Sequence, residues 1–218
     1  MLTVHKIGGT SMSKFEDVLQ NIVKGQAPED NFYDRIFVVS AYNNVTNWLL
    51  EHKKTGEPGV YDLFVTKRDY RQALENLFEK LIAINHELEG IGLDLVVADE
   101  FIRERVDQCR NYLVNLEEVL ASGYVNKQNI LLAAREILAS IGEAHSAFNS
   151  VNILKNNGIE SIFVDLCGFH DAEYLTIDER IKQAFADIDC SSTVPIATGY
   201  TKGTEGIMRE FDRGYSEV

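Results

Sequence analysis

The chain has 218 residues, 45% of them hydrophobic and 25% charged, the balance of a folded globular protein and not of a disordered or fibrous one. Its 21 basic and 34 acidic residues leave a formal charge of −13, spread along the sequence, which argues against nonspecific attraction to nucleic acid or an anionic membrane. No apolar run approaches the roughly 18 residues of a transmembrane helix, and the start MLTVHKIGGTS has no leader-peptide pattern, so a cytoplasmic protein is expected.

In chain order, Thr3 to Ile7 is β-compatible, and Phe15, Val18, Leu19, Ile22 and Val23 then recur at helical spacing behind Ser13 and Glu16, which predict a capping box. The run Ile36-Phe37-Val38-Val39 suits a strand buried on both faces. Three helices follow: about 70 to 88 on Ala73, Leu74, Leu77, Phe78, Leu81 and Ile82; one carrying Ile102, Val106, Cys109, Leu113, Leu116 and Leu120; and about 127 to 155, stopped by Asn156-Asn157-Gly158. Strands return at Ile162-Phe163-Val164 and at Val194-Pro195-Ile196-Ala197, with proline at the strand start. The expected fold is α/β, a mainly parallel sheet with helices on both faces and a helical insertion at about 60–155 that packs as a bundle. Pro28, Pro58 and Pro195 fall between periodic segments, and no repeat or linker divides the chain. Cys109, Cys167 and Cys190 form no CxxC pair and have no histidine at zinc spacing, so reduced, mostly buried thiols and no protein metal site are expected.

Four segments could carry chemistry. Lys6-Ile7-Gly8-Gly9-Thr10-Ser11 stands between a strand and a helix, where glycines let the backbone approach an anion and Lys6 adds charge. It matches neither GxxxxGK[ST] nor GxGxxG, and a plain tight turn explains it as well. Ser40 to Asn47 gathers hydroxyls and amides after a buried strand, where α/β sheets bind ligands, although turn and capping roles suit Ser40 and Thr46 equally. Ala139, Gly142, Glu143, Ser146, Ala147 and Ser150 form a stripe of small residues with one carboxylate. Either close helix packing, with Glu143 at an exposed edge, or a ligand offsets the cost of about 1 kcal/mol for a mid-helix glycine. Finally, Thr198-Gly199-Tyr200 is followed by Asp212-Arg213-Gly214-Tyr215-Ser216-Glu217, in which Arg213 suits bidentate contact with a carboxylate or phosphate.

Together these segments resemble aspartate kinase, of the amino acid kinase superfamily. The family's Lys-Phe-Gly-Gly-Thr-Ser is similar to the string from Lys6 to Ser11. Its Val-Val-Ser-Ala and Val-Thr-Asn correspond to Val38-Val39-Ser40-Ala41 and Val45-Thr46-Asn47, and its Gly-Glu and Ser-Ala to Gly142-Glu143 and Ser146-Ala147. The family's Gly-Arg-Gly-Gly-Ser-Asp is altered around Arg213, Ser216 and Glu217, and the strings at 7–12, 142–147 and 212–217 look like the divergent form associated with ectoine biosynthesis. The resemblance implies ATP-dependent phosphorylation of the side-chain carboxylate of L-aspartate to 4-phospho-L-aspartate, with Mg²⁺ accompanying ATP. Carried over by motif, Lys6 would neutralise the transferring phosphoryl group, Gly8, Gly9, Thr10 and Ser11 would cradle phosphates, and Glu217 would orient Lys6 or neighbouring groups. Ser40, Thr46, Glu143, Tyr200, Arg213 and Ser216 would hold aspartate. The resemblance further implies that residues 1–218 are a partial catalytic domain, incomplete at its C-terminal end, without the nucleotide-binding part or regulatory ACT domains, and inactive or nearly so alone. The alternatives are a noncatalytic aspartate-binding or assembly module, and an amino acid kinase with another carboxylate acceptor; a homodimer is compatible with all three.

Overall fold

The structure, a computed structural model, describes residues 1–27, 31–52, 54–169, 171 and 173–204. In chain order its elements are β1 (Thr3–Ile7), α1 (Gly9–Met12), α2 (Phe15–Val18) running into a π-helical turn (Leu19–Lys24), β2 (Arg35–Val39), α3 (Val45–Leu49) and α4 (Val60–Val65). Then come α5 (Tyr70–Leu88), a 3-10 turn (Glu89–Ile91), α6 (Leu95–Ser122), α7 (Lys127–Asn156), β3 (Ser161–Val164), α8 (Ile177–Phe185) and β4 (Val194–Thr198).

The four strands form one sheet, β1-β2-β4-β3, parallel throughout. β4 enters between β2 and β3 and is buried at every position, which accounts for its unbroken apolar run. Its proline is tolerated because of where its missing donor falls. The Val194 N–H bonds toward the β3 side, to Glu160 O, so Pro195 faces β2, and pairing with β2 begins only at Ile196.

α7 lies against β2, β3 and β4, α6 packs on α7, and α5 packs on α6. The helices of 60–155 therefore form a layer as expected, and α7 is also the sheet's own cover. The periodic residues make that layer: Leu74, Leu77, Leu81, Ile102, Val106, Cys109 and Leu113 are buried. Asp69, Asp94 and Asn126 cap the three long helices by accepting from backbone N–H groups of the first turn. α7 stops at the Asn156-Asn157-Gly158 signal, with Gly158 at φ 77°. Cys109 and Cys167 are buried, Cys190 is half-buried, and all three are free thiols; burial pushes Cys109 up to about 12, a form inert as a nucleophile.

The capping box expected at Ser13 and Glu16 is not formed. α2 begins behind Lys14 without a side-chain cap, because Ser13 Oγ donates to Gly9 O and accepts from Asn43 N–H instead. A true capping box occurs at Thr176 and Glu179, opening α8.

On the sheet face opposite α7, α8 covers part of the surface, where Val164, Leu166 and Ala197 meet Ala184, Phe185 and Ile188. Toward β1 and β2 that face opens into an apolar groove of about 730 Å³ with Val4, Ile36 and Val38 along one wall. Among the described residues no helix is long and apolar enough to cross a membrane.

Candidate active site

The parallel register brings three strand ends into one row: Ile7 is opposite Val39, and Val39 is opposite Thr198. Ser40 N–H donates to Ile7 O and Gly199 N–H to Val39 O, both at 3.0 Å, carrying the ladder one residue past the strands. The loops that follow, at Gly8, Ser40 and Gly199, lie at the carboxyl edge of the sheet, where open α/β sheets bind ligands. They are held close to one another. A Cβ on Gly9 would stand 2.7 Å from Ala41 O, so only glycine fits there, and Asn43 N–H reaches Ser13 Oγ at 2.8 Å.

α7 supplies the floor. Its small-residue stripe faces the loop after β2: Ser146 Oγ donates to Ser40 O at 2.9 Å, and a Cβ on Gly142 would lie 2.8 Å from Ala41 Cβ and 2.9 Å from Val45 Cγ1. Close packing of α3 and its loop therefore explains the mid-helix glycine. Gly142→Ala gains about 1 kcal/mol of helix propensity but forces two methyl groups apart, and overpacking costs about 1–3 kcal/mol. A net destabilisation of up to about 2 kcal/mol is expected in urea unfolding; a variant more stable than the parent would show that the contact is not tight.

Glu143, one residue further along α7, points into the row of strand ends. The backbone N–H groups of Tyr200 and Ala41 donate to its carboxylate, while Oε2 is buried without a hydrogen-bond partner. Burial pushes its pKa up to about 7, against the opposing pull of those N–H groups and of the Lys6 charge. Room for it comes from Gly199, where a Cβ would lie 3.1 Å from Oε2. Of the two readings of this stripe, close helix packing holds for Gly142, but Glu143 does not lie at an exposed edge: its carboxylate is held beneath the strand ends.

The other expected site residues distribute as follows. Lys6 is exposed at the end of β1 and lines the apolar groove. Gly8 is the residue before α1, and Thr10 and Ser11 lie exposed within that single helical turn. Ser40 is half-buried, and Thr46 is exposed in the first turn of α3. Tyr200 is buried and its phenol donates to Glu136 Oε2 at 2.7 Å, so it meets Glu143 through its backbone. Arg213, Ser216 and Glu217 lie outside the described residues. Sequence reasoning missed the parts played by Ser13, the Ala41 N–H and Glu136. Among the described residues no group of three or more His, Cys, Asp or Glu side chains could hold a metal ion.

A row of glycine-lined strand ends with one lysine and one buried carboxylate has the charge pattern of a site for a phosphorylated anion and a cationic group. Comparisons with known proteins bear on the family and the fold. The model of the amino acid kinase family matches residues 1–217. The aspartate kinase Ask_Ect of Stutzerimonas stutzeri (strain A1501) is 47% identical over 221 residues, covering 100% of this chain and 46% of that protein; the chain spans about half the length of this relative. The crystal structure of E. coli aspartokinase III in complex with lysine and aspartate (T-state) superposes with a TM-score of 0.54 at 21% identity, over 90% of this chain and 40% of that one. The same enzyme in complex with aspartate and ADP (R-state) gives 0.50 at 18% identity, over 92% and 41%. These structures share the fold, and the family match extends over nearly the whole sequence: the chain belongs to the amino acid kinase family.

Proposed function

We propose that the complete enzyme containing this chain is an aspartate kinase of the cytoplasm, which transfers the γ-phosphoryl group of ATP to the side-chain carboxylate of L-aspartate. The observation that carries this reading is Glu143: a buried carboxylate with one oxygen unpartnered, beside Lys6 and between the strand-end loops, asks for a cationic ligand group, and the α-ammonium of an amino acid is one. The name of the relative in Stutzerimonas, together with the aspartate and ADP named for the E. coli neighbour, supports this choice.

In this reading an oxygen of the substrate carboxylate forms a bond to the γ-phosphorus, the bond from that phosphorus to the bridging oxygen breaks, and ADP leaves with the electron pair. A carboxylate is already ionised at pH 7, so no general base is needed, and positioning and charge compensation supply the catalysis. Lys6 offsets charge on the phosphoryl group, while the backbone from Gly8 to Ser11 approaches the phosphates. Glu143 holds the ammonium from below. Ser40, Thr46 and the Tyr200 backbone line the aspartate pocket, Arg213 and Ser216 meet the substrate carboxylate, and Glu217 orients Lys6. Residues 1–218 then constitute the amino-acid-binding and phosphate-loop part of the catalytic domain. Mg²⁺ would arrive with the nucleotide, since it prefers phosphate oxygens and water and the described residues offer it no ligand cluster.

Trapping the acyl phosphate with hydroxylamine tests the proposal in the full-length enzyme. ATP-dependent hydroxamate is expected with aspartate and not with glutamate. Preference for glutamate, or no product from either, would overturn it.

A further inference from the structure

Beneath the loop that carries Ser40 and Thr46, the helical layer holds a polar cluster that the proposed chemistry does not use. His145 and Asn149, one turn apart on α7, and Asn85 on α5 are all completely buried. Asn85 Oδ1 lies 2.6 Å from His145 Nε2 and accepts from Asn149 Nδ2 at 2.7 Å. Its amide group donates to Asp99 Oδ1 on α6 at 2.8 Å. The carboxylate of Asp99 can only accept, so it turns the Asn85 amide nitrogen toward itself and the Asn85 oxygen toward His145. His145 must then carry its proton on Nε2, and it stays neutral because burial lowers its pKa to about 3.

The cluster ends at Tyr42, the residue after Ala41. The Tyr42 ring meets the His145 ring edge to face at 5.4 Å; this ring contact is the link, because the Tyr42 hydroxyl is buried without a hydrogen-bond partner. Tyr42 is the point at which the loop enters the helical layer. On one side of it, Ala41 N–H donates to Glu143; on the other, Asn43 N–H is held by Ser13 Oγ. A layer needing only stability would be served as well by leucines, because buried polar groups gain little net energy even when bonded. A directional network orients what it touches.

We propose that His145, in its neutral Nε2–H form, is a positioning residue: held by Asn85, it fixes Tyr42 and through it the Ser40–Thr46 loop against Glu143, and so sets the aspartate pocket. The kinetic part rests on the aspartate kinase reading; the conformational part does not.

Two readouts separate them. In the full-length enzyme, His145→Ala is expected to raise the KM for aspartate about ten-fold, with kcat and the KM for ATP changed less than about two-fold. In the 218-residue chain the same substitution shifts the emission of Trp48, the single tryptophan, which lies in α3 directly after the loop. His145→Gln, whose amide N–H can replace the Nε2–H bond, restores both. Asp99→Ala, at a half-exposed position, frees the Asn85 amide and gives the same changes at about two- to three-fold in KM, and it stands in if His145→Ala fails to fold. Unchanged aspartate KM and Trp48 emission in the variant that folds would overturn the proposal, as would a glutamine variant as defective as alanine. If the wild-type enzyme shows no aspartate-dependent turnover, the functional reading fails and Trp48 emission alone decides the positioning role.

Discussion

Glu143→Gln is expected to make the protein more stable at pH 8 while removing its affinity for aspartate. Burial holds the folded carboxyl near 7, against an ordinary 4.5, so between those values the folded state keeps a proton that the unfolded chain releases. Stability therefore falls as pH rises through that window, and the loss, roughly 3 kcal/mol at about 1.4 kcal/mol per pH unit, persists above it. Glutamine carries no charge to bury. It should recover about 1–3 kcal/mol at pH 8 in urea unfolding, the gap to wild type closing toward pH 4.5. Ligand binding moves the other way. An ammonium left facing an amide loses about 2–5 kcal/mol, so aspartate should bind at least about 30-fold more weakly. Wild-type affinity should itself fall about ten-fold per pH unit well below 7, as Glu143 takes up its proton, and the glutamine variant should lack that dependence. A variant that is less stable at pH 8, or that keeps aspartate affinity, would remove Glu143 from the role assigned to it.

Lys6→Ala should leave the fold intact, since Lys6 is exposed at the strand end, yet lower kcat of the full-length enzyme by about 10²- to 10³-fold, the usual loss when one preorganised donor to a transition-state charge is removed. It should also leave a mark on Glu143. The Lys6 charge pulls the Glu143 pKa down, so without it the acid limb of aspartate binding must move to higher pH. A kinetic loss with an unmoved limb would mean that lysine and carboxylate do not share a site, and near-normal turnover would mean that Lys6 is not part of the phosphoryl clamp.

How much of this was legible in the sequence depended on the range over which each signal acts. The 19, 28 and 30 residues of α5, α6 and α7 give periodicity room to show, whereas α3, with 5 residues, and α4, with 6, hold too few turns for a face to emerge. α8 passed unnoticed although Thr176 and Glu179 announce it, while the same spacing at Ser13 and Glu16 announced a cap that does not form. The two strings look alike; what separates them is that Asn43, 30 residues away, claims the Ser13 hydroxyl. The site divides in the same way. Strand ends followed by glycines and hydroxyls can be read locally, so the placement of Lys6, Gly8, Gly9 and Ser40 at the carboxyl edge of the sheet is legible in the sequence. The burial of Glu143, the turning of Tyr200 toward Glu136 and the cluster around His145 arise from contacts between distant segments, which no local pattern encodes.

The strand order carries a consequence for how the protein is made. Among the described strands β4 comes latest in sequence yet lies between β2 and β3, so during synthesis β2 and β3 have no partner between them until residue 198 has left the ribosome. At about 5–20 residues per second, some 30 residues separate β3 from β4, and the nascent chain spends seconds with two open, apolar strand edges. Such a chain pairs late and at long range, which slows folding and exposes it to misassembly. The long helices need only local contacts, and they can form first and shield the edge-bearing segments while β4 is still being made.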